Sequence, residues 1–92
     1  MQATAELQVI PLGSGVSVRK EVKQVIEVLS GFPLKMETHA SGTNLEGELN
    51  IVLEAVSKVH ETLHEAGSAR LLSYLKLETR TDKVPTLEGK RL

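Results

Sequence analysis

Leu34-Lys35-Met36-Glu37-Thr38-His39-Ala40-Ser41-Gly42-Thr43-Asn44-Leu45-Glu46-Gly47 is the stretch on which the fold turns. Leu34, Met36, Thr38 and Ala40 alternate with Lys35, Glu37, His39 and Ser41, and a period of two specifies a strand with two unlike faces. Ser41-Gly42-Thr43-Asn44 carries the chemistry of a hairpin connection, and residues 43–47 form a short return strand. Strands linked this tightly pair antiparallel.

A helix flanks the hairpin on each side. Val18, Val22, Val25, Ile26 and Leu29 make one apolar stripe over 18–30, with Ser17 as N-cap and Gly31 at the left-handed C′ position. Leu49, Val52, Leu53, Val56, Val59, His60 and Leu63 line one face of a longer helix over 48–66, closed by Gly67. Beyond the helices lie two outer strands. Residues 3–12 set Ala3, Ala5, Leu7 and Val9 against Thr4, Glu6, Gln8 and Ile10, ending at Pro11 and Gly13-Ser14-Gly15. Residues 70–80 set Leu71, Ser73, Leu75 and Leu77 against Leu72, Tyr74, Lys76 and Glu78.

The order is therefore βαββαβ with one tight link, between strands two and three. Right-handed crossovers then place both helices on one face of an antiparallel sheet: an α+β, ferredoxin-like two-layer sandwich. Residues 1–92 form one domain, with an irregular or weakly helical tail over 83–92.

Composition narrows the function. The 92 residues are 40% hydrophobic and 25% charged, and 11 Lys+Arg against 12 Asp+Glu give a net charge of −1. A polyanion-binding domain carries a basic excess, so nucleic acid is not expected as a partner. With no cysteine, disulfides, thiolate catalysis and Cys-ligated metal centres are excluded. No basic-then-apolar leader and no apolar run of about 20 residues is visible, so the chain reads as a cytoplasmic protein without a membrane partner.

His60-Glu61-Thr62-Leu63-His64 matches H-E-x-x-H, the helical zinc-protease signature, but Arg70 stands where the longer pattern has a third histidine. On the helical wheel His60 points into the sheet, His64 lies at the stripe's edge and Glu61 looks outward, which is no metal-binding constellation. The single Asp, Asp82, sits at a strand end and makes no Ser-His-Asp set. Gly13-Ser14-Gly15 lacks both the Gly-Lys-Ser/Thr of a phosphate loop and the third Gly of a dinucleotide fingerprint. Neither catalysis, metal nor cofactor is expected.

Strand parity turns Thr38, Thr43 and Ser73 toward the helices, together with His60. They admit two readings. The hydroxyls satisfy nearby backbone groups and His60 bonds one of them, or they line a pocket for a polar heterocycle, with Met36 beside the ring. The opposite face carries Ile10, Leu72 and Tyr74 among Glu6, Lys35, Glu37, Lys76 and Glu78, the pattern of an oligomer contact with a charged rim.

Four segments carry a family resemblance: Thr4-Ala5-Glu6-Leu7-Gln8-Val9-Ile10-Pro11-Leu12-Gly13, Gly42-Thr43-Asn44-Leu45-Glu46-Gly47-Glu48, His60-Glu61 and Ala66-Gly67-Ser68-Ala69-Arg70. In order and spacing they resemble the thiamine-binding protein family of the YqgV and YkoF type. The resemblance implies a ferredoxin-like subunit of a homodimer or homotetramer that binds thiamine or its hydroxymethyl-pyrimidine half without catalysis. It maps the ligand-contacting threonine onto Thr43, the end of strand one onto Val9 and Ile10, and the family's helix-two histidine onto His60. Ala40-Ser41 departs from the Gly or Pro and Met often found there. The expected site is Thr43, Val9, Ile10, Thr38, Met36, Ser73 and His60, in a carrier, sensor or buffer of thiamine assembled as a dimer of dimers. The alternative is an oligomeric interaction or scaffold domain with a purely structural polar core.

Overall fold

In the computed structural model, which describes residues 1–13 and 15–91, the elements are β1 (Gln2–Leu12), α1 (Arg19–Leu29), β2 (Lys35–His39), β3 (Gly42–Glu48), α2 (Leu49–Glu65), β4 (Arg70–Thr79) and a 3-10 turn over Glu88–Lys90. The strands form one antiparallel sheet in the order β2-β3-β1-β4, the ferredoxin-like arrangement, with α1 and α2 on one face.

Register explains which residues make the core. Ala5 pairs with Leu45 and Leu77, and Leu7 pairs with Thr43 and Leu75, so these side chains share the helix-facing side. Ala5, Leu7 and Leu45 pack there with Val25 and Leu29 of α1 and Val52, Ala55, Val59 and Leu63 of α2. Each fully buried leucine contributes about 2 kcal/mol by leaving water. Gly47 lies under Leu34: a Cβ there would sit 2.5 Å from Leu34 Cδ2, so glycine lets the β2 lead-in close over β3.

The helix ends differ in part from expectation. Glu48 caps α2, accepting from Asn50 N–H at 2.7 Å, and Gly67 terminates it at φ +111°. Helix α1 starts at Arg19, one residue past Val18, with no side-chain cap, so Ser17 is not the N-cap. Nor is Gly31 left-handed. The Gly31 and Phe32 amides donate back to Val28 and Leu29, and Ser30 Oγ donates to Ile26 O at 2.7 Å, so α1 ends in tightened turns that need no positive φ. Val22 and Leu53 of the expected stripes are 41% and 44% exposed, and Val22 borders an open cavity between α1 and β1.

Two features of the sheet set up the sites. Strand β1 pairs with β3 only through Leu7, but with β4 as far as Leu12, so β1 and β4 project together beyond the β2–β3 hairpin. The tail is the second. It crosses the helix-free face rather than trailing away, burying Pro85 and Leu87. Leu87 N–H donates to Glu46 Oε1 of β3 at 2.7 Å, Lys90 Nζ pairs with Glu78 of β4 at 2.6 Å, and Arg91 pairs with Glu37 of β2. The face expected to be bare is therefore covered over its lower half. Ile10, Leu72 and Tyr74 stay in the uncovered upper corner, with Leu72 42% and Tyr74 57% exposed.

Candidate functional site

The helix-side cavity forms where the hairpin stops and β1 continues. Beyond Leu7, the β1 edge that faces β3 has no strand partner, so the backbone of residues 8–11 borders open space instead of a ladder. The hairpin turn Ala40–Gly42 closes one end, and Val22, Val25 and Ile26 of α1 form the roof. The cavity volume is about 230 Å³. That is below the ~300–1,000 Å³ typical of drug-sized ligands, and suits a single substituted ring.

Thr43, 4% exposed, lies at the inner end of the cavity, and Thr38, its cross-strand partner, lines the outer side. Val9 faces inward. Ile10 borders the cavity through its backbone, because strand alternation turns its side chain to the opposite face. Four expected site residues thus converge: Thr43, Thr38, Val9 and Ile10.

The other three lie apart. His60 Nε2 and Ser73 Oγ are 2.6 Å apart, a hydrogen bond that links α2 to β4 and occupies both groups. Met36 packs against the core, its Sδ 4.0 Å from Ser30 Oγ. The sequence expectation of one polar cluster around Met36 and His60 merges two places on the helix-facing side, because parity specifies a face and not a position along it.

The turn is held by a residue that sequence reasoning placed only on the opposite face. His39 Nδ1 accepts from Ser41 N–H at 3.2 Å, so the ring proton is on Nε2, which points at Asn44 Oδ1 (3.1 Å) and Glu6 Oε2 (3.2 Å). His39 therefore ties the cavity's turn to the carboxylate of Glu6 across the sheet. Among the described residues no Asp or Glu lines the cavity itself; its lining is apolar walls, hydroxyls, Gln8, His39 and free strand backbone. The clue in the sequence was length: a first strand of about ten residues beside a return strand of five leaves an edge unpaired.

The H-E-x-x-H segment is built into the scaffold. Leu63 is fully buried, Glu61 is exposed, and His64 Nδ1 donates to Ser68 O at 2.7 Å. The His60 and His64 ring centroids are 6.2 Å apart and tilted by 59°, each ring held by a different partner. Among the described residues no three His, Cys, Asp or Glu side chains group as metal ligands. Ser14 of the Gly13-Ser14-Gly15 loop lies outside the described residues; Gly13 and Gly15 adopt φ +79° and +87°. No helix is long and apolar enough to cross a membrane among the described residues.

Residues 5–91 match the family model described as thiamine-binding protein. The chain is 45% identical over 89 residues to UPF0045 protein MJ1052 of Methanocaldococcus jannaschii, covering 97% of this chain and 88% of that protein. It is 30% identical over 93 residues to UPF0045 protein YqgV of Bacillus subtilis, covering 96% and 89%. The crystal structure of MJ1052 superposes with a TM-score of 0.91, covering 97% of this chain and 91% of that one. A Thermotoga maritima structure, described as a candidate thiamine biosynthesis or salvage protein, shares the fold at a TM-score of 0.87 and 22% identity, covering 98% and 95%.

Proposed function

Because this chain belongs to the thiamine-binding protein family, we propose that it binds thiamine or its hydroxymethyl-pyrimidine half without chemical conversion, as a cytoplasmic carrier, sensor or buffer. The observation that carries this reading is the cavity at the unpaired β1 edge, with Thr43 at its inner end. An aminopyrimidine presents donors and acceptors along one edge of a flat ring. Strand backbone that lacks a partner presents the complementary set, and a threonine hydroxyl can both donate and accept.

The apolar walls from α1 cover the ring faces. The thiazolium is a fixed cation, and no carboxylate among the described residues lines this cavity, which favours the pyrimidine as the half that enters it. In this reading Thr43, Thr38, Val9 and Ile10 contact the ring. His60 and Ser73 brace α2 on the sheet, and Met36 backs the hairpin.

The assembly belongs to the same reading: a homo-oligomer, built as a dimer of dimers, in which Ile10, Leu72 and Tyr74 meet a second copy. Closed two-fold contacts are the commonest way for a small domain to cover such a corner.

Calorimetric titration with thiamine and, separately, with hydroxymethyl-aminopyrimidine tests the binding. Saturable heat with either supports it. No heat and no thermal shift at millimolar concentrations of both overturns it.

A further inference from the structure

The hairpin turn that closes the thiamine cavity rests on a side chain. Ala40 and Ser41 are its two central residues, between the paired His39 and Gly42. Two-residue hairpins match the twist of their strands through left-handed φ at one or both central positions, and neither Ala40 nor Ser41 has a positive φ. His39 supplies a clasp instead. Its Nδ1 accepts from Ser41 N–H at 3.2 Å, two residues on, where an asparagine in an Asx turn offers its Oδ1.

The two nitrogens of the ring meet different demands. Ser41 N–H needs a lone pair on Nδ1, and hence the neutral imidazole. Nε2 faces Asn44 Oδ1 at 3.1 Å and Glu6 Oε2 at 3.2 Å, acceptors that suit an N–H in either protonation state. A proton added to Nδ1 therefore leaves the Glu6 contact in place and breaks the Ser41 contact, because a donor then faces a donor. The surrounding groups do not replace that bond. Glu37 on the same strand pairs with Arg91 of the tail, and Lys76 of β4 lies 4.0 Å from Glu6 Oε1. Strand β3 brings the neutral Asn44, β1 adds Gln8 with Tyr74 of β4 beside it, and α1 brings the apolar Val22, Val25 and Ile26 to the cavity.

We propose that His39 is a proton-operated positioning residue of this cavity: the neutral ring clasps the turn over the ligand, and the imidazolium releases it. For the identity of the ligand the proposal rests on the thiamine reading. Ala40, Ser41 and Gly42 line the cavity and Thr43 follows them directly, so a turn without its clasp shifts the wall against which the ring lies. An imidazole changes charge between about pH 5 and 8, so the ligand is held at neutral pH and let go in mild acid. The coupling is reciprocal: a ligand that needs the closed turn opposes protonation of His39.

Nuclear magnetic resonance of the ligand-free full chain reads the clasp directly. The Ser41 amide signal should move with the His39 ring signals at one common midpoint. It should stay still over the same range in His39→Asn, whose Oδ1 offers an acceptor that does not titrate. A Ser41 amide that stays still while His39 titrates in the wild type overturns the proposal. Calorimetric titration with hydroxymethyl-aminopyrimidine at about pH 8 and about pH 5 reads the consequence in the same two proteins, with thermal melts verifying their fold. The ligand's own titration, and those of His60 and His64, are common to both. From the higher pH to the lower, the wild type should lose about tenfold more affinity than His39→Asn, the worth of one hydrogen bond. Equal losses overturn the proposal. If neither this compound nor thiamine binds at either pH, the thiamine reading falls, and the Ser41 amide alone decides the clasp.

Discussion

His60 of α2 and Ser73 of β4 share a hydrogen bond of 2.6 Å, and that bond accounts for two polar side chains turned toward the core. It also engages His60 through Nε2 on the sheet. Ser73→Ala leaves the imidazole without its partner and should cost about 1 kcal/mol of unfolding free energy in urea. Ligand affinity should stay the same, since Ser73 lies outside the cavity. A large loss of affinity with unchanged stability would place Ser73 in the site instead.

Thr43→Val keeps the side-chain shape and removes the hydroxyl at the inner end of the cavity. Affinity for hydroxymethyl-aminopyrimidine should fall about tenfold, the worth of one hydrogen bond. Stability should change little. Equal affinity in the two proteins would remove Thr43 from the contact set.

Gly42 approaches β1 so closely that a Cβ would lie 2.6 Å from the Leu7 carbonyl oxygen and 3.3 Å from its carbonyl carbon. Both are backbone atoms, so neither can rotate away. Gly42→Ala should destabilise by about 1–3 kcal/mol through overpacking. It should also weaken the ligand, because the same turn closes the cavity. Wild-type stability in the alanine variant would show that the hairpin can shift without cost.

The Glu78 carboxyl is held below its usual value of 4.5, first by the hydrogen bond from Lys90 and then by the charges of Lys90 and Arg80, with partial desolvation opposing them. A depressed carboxylate pKa stabilises the folded state above 4.5, and that contribution is lost as pH falls through the lowered folded value. The tail's tie to β4 should therefore loosen in acid. A carboxyl carbon-13 titration should give a midpoint below the ordinary glutamate value in wild type, returning toward it in Lys90→Gln. Coincident titrations would mean that the tail does not hold Glu78 in solution.

Tyr74 is more than half exposed at the corner it shares with Ile10 and Leu72. Light scattering at micromolar concentration should give about four chain masses if that corner seats a second copy. Tyr74→Glu should lower the mass by burying an unpaired charge at the contact. A wild-type mass near one chain would refute the assembly.

Much of this molecule is legible residue by residue. The alternation of Leu34 to Ser41, the Gly42 turn, the stripe from Val52 to Leu63 and the stop at Gly67 each recur in the fold, because strand and helix periods of 2 and 3.6 are local properties of the chain. The same parity turned Thr43 inward. It could not separate Thr43 from Ser73, which share a face but lie on strands that flank opposite sides of β1.

The amino-acid sequence by itself determined the order of elements, the sheet face that carries the helices, the core and the family. Tertiary structure decided where β3 stops against β1, and hence that an unpaired edge and a cavity exist beside Leu7. It decided that His60 meets Ser73, and that Leu87, Lys90 and Arg91 fold back on Glu46, Glu78 and Glu37. The reason is range. Periodicity is written between residues two to four apart, whereas strand offset and tail docking depend on how side chains from distant segments fit together, a sum that no short window of the chain contains.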